Sequence, residues 1–482
     1  MRTLLVRGLL VGFLTCLAAP GCGGGGGGAT PGGVKDLRLA RELIGRGLIP
    51  PADALLVEAM FAEHDLPVEG PACARTLCLD AAAGFAPELD GAPRGWAQIG
   101  LSTAIDLDTF TRPSTTFVFT VDVSGSMGWG FNDAVHPSAG DLSRALLHKL
   151  ADELRPDDQV AIVTYGSDAR TALSLRSGAE RTAVHAAIDR LDSEGATDME
   201  SGMRRAVKVG EAAVGATAQV RIVLFTDVNP NIGATGAGEF GDIVSRAAKK
   251  GVHTTVLALG LGIDPEIMRG MASLRGANAF SLTRTSELDT FMAEEYPWFT
   301  TPIAFDLRVS IESGAWSIDR GLGFPAASDA EQLGLTAQTV FLSRRRGALL
   351  AALTPPAGAT TPDGLTGRLA FRYEEASGEQ VTDTAAFAHD GRPVDERGHW
   401  YGQRGVARTT ALALFTEAMH DAAAVYGADP ARAEGIMRAA QERFTADADT
   451  LGDDDLPVEV ELGAALLELI VRRAPQGNLY GE

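Results

Sequence analysis

The spacing of apolar residues along the chain separates it into regions with different predicted structure. Residues 37–62 carry apolar side chains at helical spacing with a turn between them, which predicts a small helical hairpin within a helical segment, residues 34–64. Residues 115–296 alternate short apolar runs with amphipathic stretches. This alternation predicts a doubly wound, mostly parallel α/β sheet covered by helices on both faces. A ligand site is then expected at the carboxyl ends of the strands.

The predicted elements of this α/β region follow from the same pattern. The predicted strands are residues 116–121, 159–165, 219–225, 252–259 and 277–282. The predicted helices are residues 142–154, 179–191, 199–214, 239–250, 264–274 and 285–295.

The flanks of the α/β region have the texture of strands. Residues 65–113 and 302–391 combine Gly, Pro and short alternating apolar runs. Because the termini of a domain are often close together, one domain can be inserted in another. We therefore expect a single β-sandwich built from both flanks, with the α/β domain inserted in it. Residues 398–475 are rich in Ala and return to helical spacing, which predicts a C-terminal helical region.

The chain begins with a basic segment and an apolar run too short to span a bilayer, which predicts a cleaved export signal over residues 1–21. Cys22 follows small residues and precedes six glycines, an arrangement that resembles the bacterial lipoprotein signal, although Ala19 and Pro20 depart from its commonest form. The resemblance implies that Cys22 is lipidated. A flexible Gly-rich tether over residues 22–33 would suit such an anchor. Ordinary cleavage with an unmodified Cys22 is the alternative.

The net charge of the chain excludes two classes of ligand. The 482-residue chain has a formal net charge of −21, which argues against nucleic acid or anionic lipid as a ligand because phosphate contacts need a basic surface.

The chain has four cysteines, of which Cys16 leaves with the predicted signal and Cys22 is the predicted anchor. In an oxidising compartment the remaining Cys73 and Cys78 can form a disulfide, with free thiols as the alternative.

Three loops at the carboxyl edge of the predicted sheet carry oxygen-bearing side chains. The first predicted strand leads into Asp122, Ser124 and Ser126, which share one tight loop. Thr197 precedes a predicted helix and Asp227 ends another strand, so a doubly wound topology would bring both alongside. Carboxylate and hydroxyl oxygens suit a hard cation such as Mg²⁺, with Mn²⁺ or Ca²⁺ as alternatives.

Each of these residues also has a simpler interpretation on its own. Thr197 and Glu200 have the spacing of a helix capping box. Asp227 precedes an Asn-Pro-Asn sequence and fits turn chemistry, as does Asp122 with Ser124. A metal site is the interpretation that accounts for all three loops together.

These residues and the alternation around them resemble the von Willebrand factor type A domain and its metal-ion-dependent adhesion site. In that family one loop supplies an Asp and two Ser, a second loop a Thr and a third an Asp. The matching positions are Asp122, Ser124, Ser126, Thr197 and Asp227. Val228 departs from the family, which usually has Gly after the last Asp. The N-terminal helical segment and the β flanks also resemble bacterial lipoproteins that carry this domain.

The resemblance implies protein recognition rather than catalysis. We expect a membrane-anchored lipoprotein of the cell envelope, at the outer membrane in preference to the inner, whose bound cation accepts an Asp or Glu from a protein partner. We expect contact with the membrane through the lipid anchor only. A metal-dependent hydrolase is disfavoured because the motif loops hold no spare base. A structural subunit of an envelope assembly with a vestigial site is a third alternative.

Overall fold

The computed structural model describes residues 27–129, 137–193, 195–326 and 335–479. The predicted signal, residues 1–21, and the predicted anchor Cys22 lie outside these ranges.

The described residues form strands and helices throughout the chain. The strands are β1 (Gly28–Pro31), β2 (Gly33–Val34), β3 (Cys78–Phe85), β4 (Gly95–Ser102), β5 (Thr115–Asp122), β6 (Gln159–Tyr165), β7 (Ala169–Ser177), β8 (Gln219–Thr226), β9 (Val252–Leu259), β10 (Asn278–Leu282), β11 (Pro302–Glu312), β12 (Ser317–Leu322), β13 (Thr336–Ser343), β14 (Gly347–Thr354), β15 (Thr366–Glu375), β16 (Gln380–Ala388) and β17 (Trp400–Tyr401). The α-helices are α1 (Arg38–Gly45), α2 (Val57–Glu63), α3 (Ala139–Asp152), α4 (Arg181–Ile188), α5 (Met199–Ala212), α6 (Ala237–Ala248), α7 (Pro265–Ala272), α8 (Glu287–Glu294), α9 (Tyr296–Phe299), α10 (Arg404–Tyr426), α11 (Pro430–Leu451) and α12 (Leu456–Val471).

Seven strands form the sheet of the α/β region, in the order β2-β10-β9-β8-β5-β6-β7. Neighbouring strands are parallel except for β6 and β7, which are antiparallel. Strand β5, which lies between β8 and β6, is buried along its whole length because helices cover both of its faces. Phe117 and Phe119 pack with α3, α4 and α8, whereas Val118 packs with α5. The predicted doubly wound α/β architecture is therefore confirmed.

The apolar pattern does not predict the two edge strands of this sheet. Strand β7 follows β6 directly and is largely exposed, so it lacks the continuous apolar run of the buried strands. Strand β2 has two residues, and Gly33 pairs with Asn278 of β10, far away in the sequence. Both edges therefore depend on pairing rather than on local hydrophobicity.

Ten strands form the second sheet, which folds into two halves joined at β1. One half has the order β12-β14-β4-β3-β17 and the other β1-β13-β11-β15-β16, and every pairing is antiparallel. Both halves contribute to one hydrophobic core, which includes Ile99 of β4 and Leu307 of β11. The Tyr373 hydroxyl donates to the Leu77 carbonyl across the two halves, at 3.0 Å. The chain flanks on both sides of the α/β domain thus build the predicted sandwich.

The predicted tether, residues 22–33, is not free along its whole length. Its later residues form β1, which pairs antiparallel with β13 and meets β4 at the pair Gly28 and Ser102. Gly28 has no room for a side chain, because a Cβ there would lie 2.0 Å from the Arg345 carbonyl oxygen. Any free tether therefore ends before β1.

The N- and C-terminal helical segments pack against each other. Arg41 of α1 forms ion pairs with Glu63 at 2.6 Å and with Glu459 of α12 at 2.8 Å. His64, which follows α2, lies 3.2 Å from the same Glu459 carboxylate. The two ends of the chain thus meet in one polar network. Within the described ranges, no helix has the length and hydrophobicity that crossing a bilayer requires.

Candidate metal centre

Asp122 ends the buried strand β5 at the carboxyl edge of the sheet. Its Oδ1 accepts a hydrogen bond from the backbone N–H of Ser124 at 2.9 Å, and its Oδ2 accepts one from the Thr226 hydroxyl at 3.1 Å. The residue is only 2% exposed. Neighbouring loops therefore fix the orientation of this carboxylate.

Ser124 and Ser126 lie on the tight turn that follows β5. Their Oγ atoms are 3.1 Å apart. The backbone N–H of Gly125 donates to the Gly195 carbonyl at 2.9 Å, which ties this turn to the loop that carries Thr197. The two hydroxyls therefore lie together, next to the second predicted loop.

Thr197 is buried between the other two loops. Its N–H donates to the Asn231 side-chain oxygen at 2.9 Å, and its carbonyl accepts from the N–H of Asn231 at 3.1 Å. The residue that caps α5 is Asp198, whose carboxylate accepts from the N–H of Ser201 at 2.9 Å. The capping-box interpretation of Thr197 is therefore wrong, because the following residue already fills that role.

Asp227 follows β8 and is 5% exposed. Its Oδ1 is buried without a hydrogen-bond partner in the described structure. Val228 has a φ of 57°, the left-handed conformation that favours Gly, and its N–H donates to the Thr226 hydroxyl at 2.9 Å. The loop thus adopts a conformation that suits glycine, although a β-branched residue occupies the position.

The two carboxyl groups are electrostatically linked. Burial, together with the neighbouring Asp227 carboxylate, raises the pKa of Asp122 to about 7. Burial also raises the pKa of Asp227, against the hydrogen bond from Ser126. Two carboxyl groups whose pKa values are both raised by burial are poorly compensated by the protein alone.

Sequence reasoning missed three residues that shape the site. The Thr226 hydroxyl donates a hydrogen bond to Asp122 and accepts one from the N–H of Val228. The Asn231 side chain accepts a hydrogen bond from the N–H of Thr197. Tyr165 ends β6 directly beside Asp122, and burial, together with the Asp122 charge, raises the pKa of its phenol well above the usual value. Tyr165 was detectable as the last residue of the neighbouring strand. The side-chain contacts of Thr226 and Asn231 had no signal in the spacing.

The donor set fits a hard cation. The three adjoining loops offer two carboxylates and three hydroxyl side chains. One carboxylate oxygen, Asp227 Oδ1, is buried without a hydrogen-bond partner in the described structure, and a bound cation would compensate it. In the described ranges no three His, Cys, Asp or Glu side chains gather to hold a metal. Any cation here would therefore depend on the hydroxyls as well as on the carboxylates.

The remaining predicted site residues lie elsewhere. Cys73 and Cys78 are joined by a disulfide at the start of β3, in the sandwich. Lipidation of Cys22 stays a prediction, because that residue is outside the described ranges.

The class of this domain follows from its topology, its loops and its sequence. The family model of the von Willebrand factor type A domain matches residues 117–230. The chain therefore contains a von Willebrand factor type A domain. This match supports a protein-interaction or adhesion-type function.

Two curated proteins are similar to parts of this chain. The chain is 28% identical over 294 residues to the uncharacterized protein YfbK of Escherichia coli K12, which covers 59% of this chain and 49% of that protein. It is 22% identical over 194 residues to inter-alpha-trypsin inhibitor heavy chain H2 of Mus musculus, which covers 39% of this chain and 20% of that protein. The chain thus spans half or less of the length of these curated relatives.

A solved structure shows a similar fold over most of the chain. The von Willebrand factor type A protein from Catenulispora acidiphila aligns with a TM-score of 0.51 at 15% identity, over 85% of this chain and 99% of that chain. At this identity the similarity concerns the fold alone. The alignment extends well beyond the α/β domain, as the shared coverage indicates.

Proposed function

We propose that this protein is a lipid-anchored cell-envelope protein whose von Willebrand factor type A domain binds a protein partner through Mg²⁺. The residues that would hold the cation are Asp122, Ser124, Ser126, Thr197 and Asp227. Mg²⁺, or Mn²⁺ or Ca²⁺ in its place, supplies a coordination position that an Asp or Glu of the partner can fill. The observation that carries the proposal is the buried, unpartnered Oδ1 of Asp227 beside the Asp122 carboxylate.

The surrounding groups support a preorganised binding site. Thr226 and the Ser124 backbone fix the two oxygens of Asp122. Hydrogen bonds from Gly125 and Asn231 hold the three loops in register. Because these contacts orient the ligands before a cation arrives, binding loses less conformational freedom.

Binding rather than catalysis is favoured by the titratable groups at the site. The high pKa of Tyr165 keeps its phenol neutral at physiological pH, so this side chain is not a base there. A hydrolase would need a group that takes a proton from water. The two carboxylates are instead assigned to the cation.

The proposal is tested by capture of a partner with and without the cation. Tagged full-length protein is incubated with solubilised envelope of its source organism in millimolar Mg²⁺ or in EDTA, and retained proteins are identified by mass spectrometry. We expect a partner that is retained in Mg²⁺ and released by EDTA. Asp227→Asn should lose it, whereas Gly435→Ala, in a helix with open space around that position, should keep it. Retention of the partner by Asp227→Asn at the native level, or equal retention by the native protein in Mg²⁺ and in EDTA, would contradict the proposal.

A further inference from the structure

Two exposed apolar side chains lie beside the candidate metal centre. Trp129 is 46% exposed and Ile232 is 43% exposed. The backbone N–H of Trp129 donates to the Ser126 carbonyl at 3.0 Å, and that of Ile232 donates to the Thr197 carbonyl at 3.2 Å. Each of the two residues is therefore joined by a backbone hydrogen bond to a residue proposed to hold the cation.

This exposure is unusual for the chain. Among the described residues, seven large apolar side chains are exposed to this degree: Trp129, Leu175, Val214, Ile232, Ile318, Val458 and Val471. Single exposed apolar residues need no explanation, but two of these border the same functional loops. Trp is also the residue type most enriched among those that dominate binding energy at protein interfaces.

A cavity of about 330 Å³ opens next to Ser126 on the Trp129 side. Ile267 and Asp264 form part of its wall. The Asp264 carboxylate accepts from the N–H of Ile267 at 3.1 Å and so caps α7. Because this wall is partly apolar and carries a negative charge, an apolar group fits it better than a second carboxylate.

We infer that the partner segment places an aliphatic or aromatic residue directly beside its metal-bound acidic residue, and that Trp129 and Ile232 receive it. The inference rests on the proposed function and adds the chemistry of the partner. Consecutive Cα atoms are about 3.8 Å apart, so the chain neighbours of an acid at the cation stay close to the loops that carry Trp129 and Ile232. The cation thus selects the acidic residue of the partner, and Trp129 and Ile232 select the residue next to it.

The inference is tested on an array of synthetic peptides. Each peptide has a central Asp or Glu, and the residues before and after it are varied through all types. Labelled full-length protein is applied in millimolar Mg²⁺ and removed with EDTA. We expect the strongest binding for peptides with an aliphatic or aromatic neighbour, and weak binding for those with a second acid. An array without any neighbour preference would overturn the inference.

Matched variants assign the preference to the two side chains. Trp129→Ser and Ile232→Thr should each weaken binding of the preferred peptides about tenfold, which is the size expected for a central interface residue. Val214→Thr is the matched control. Val214 is also exposed, but it follows the C-terminus of α5, whereas Thr197 precedes its N-terminus, so this variant should bind the preferred peptides as the native protein does. An unchanged preference in both Trp129→Ser and Ile232→Thr would overturn the inference.

The melting temperature separates this inference from the proposed function. Mg²⁺ should raise it equally in the native protein, Trp129→Ser and Ile232→Thr. If Mg²⁺ does not raise it even in the native protein, the proposed function fails. If the shift is present and no peptide binds, both the acidic partner and its apolar neighbour are contradicted.

Discussion

At the scale of single residues, the candidate metal centre concentrates unfavourable energy in one loop. Asp227 buries an unpartnered carboxylate oxygen, and the next residue, Val228, has a left-handed backbone. Such backbone strain in a non-Gly residue costs about 1–3 kcal/mol and is usually found at functional sites. Both costs occur where a cation would neutralise the carboxylates, which supports a binding role for this loop.

Replacing Asp227 by Asn should remove most of the stability that the protein gains when it binds Mg²⁺. The variant keeps the shape of the side chain and one oxygen but removes a negative charge beside Asp122. We expect the metal-free variant to melt at the same or a higher temperature than the native protein, because repulsion is relieved. The native protein should gain about 2.7 kcal/mol when Mg²⁺ is at 100 times its dissociation constant, and Asp227→Asn should lose most of this gain. Thermal melts in EDTA and in Mg²⁺ measure both effects.

Ser124→Ala is the matched control for that experiment. It removes an oxygen but no charge, so the metal response should fall without any gain in the metal-free stability. A full Mg²⁺ shift in Asp227→Asn would mean that Asp227 only shapes a turn.

The raised pKa of Asp122 predicts how stability depends on pH. Its folded-state value is about 7 against an ordinary value of 3.8. Between these values the native state binds more protons than the unfolded state, so without metal this group makes stability fall as pH rises. A cation replaces the proton, so the Mg²⁺-induced shift should grow over the same range. Melts in EDTA and in Mg²⁺ between about pH 5 and about pH 8 test both trends.

Asp122→Asn provides the comparison for the pH series. It should flatten the part of the metal-free pH dependence that this carboxyl group causes, and it should remove the growth of the Mg²⁺ shift. Identical pH profiles for the native protein and Asp122→Asn would contradict the assignment of the titration to Asp122.

At the scale of elements, the sequence predicts what local hydrophobicity determines. Strand β5 is a continuous apolar run, and a strand buried on both faces needs such a run. Strand β7 is largely exposed, and β1 and β2 are short and contain Gly, so their conformation depends on the strands with which they pair. Strand pairing over long sequence separation leaves no periodic signal in the chain.

The same distinction applies to the candidate site. The three loops that carry its five residues could be predicted because they follow strands or precede a helix at the carboxyl edge of the sheet. That these residues hold a cation stays a prediction. The supporting contacts of Thr226 and Asn231 could not, because they depend on how the loops pack. The role of Asp198 as the cap of α5 also required the loop geometry, since Thr197 has an equally suitable side chain.

Strand β1 gives a prediction at the scale of an element. Gly28→Ala should destabilise the protein by about 1–3 kcal/mol, because the new methyl group meets the Arg345 backbone and forces β1 away from β13. Gly435→Ala, in an open position of α11, should instead be neutral or stabilise by up to about 1 kcal/mol. Urea unfolding of both variants measures the difference. If Gly28→Ala is as stable as the native protein, β1 is not held as the structure describes.

At the scale of the whole molecule, the chain enters the fold at the edge opposite the candidate metal centre. Strand β2 is parallel to β10, so its first residue lies at the amino edge of the α/β sheet, and β1 precedes it. Asp122 and Asp227 follow strands that end at the carboxyl edge. An anchor at Cys22 would therefore precede the part of the fold that lies opposite the candidate metal centre.

Lipidation of Cys22 predicts where the protein is found after cell fractionation. Cys22→Ser should move the protein from the membrane fraction to the soluble envelope fraction, because the acyl chains are the proposed connection to the bilayer. Immunoblots of both fractions measure the distribution. Retention of Cys22→Ser on membranes at the native level would contradict the anchor.

The central claim is that three loops hold one cation, and calorimetric titration of the full-length protein with Mg²⁺ tests it most directly. The account predicts a single site per chain. Thr197→Ala and Ser126→Ala should each weaken affinity by at least about tenfold, as loss of a metal-site partner typically does. Asp449→Asn, in the distant helix α11, should bind as the native protein does. Native affinity in both Thr197→Ala and Ser126→Ala, or no binding by the native protein, would contradict the account.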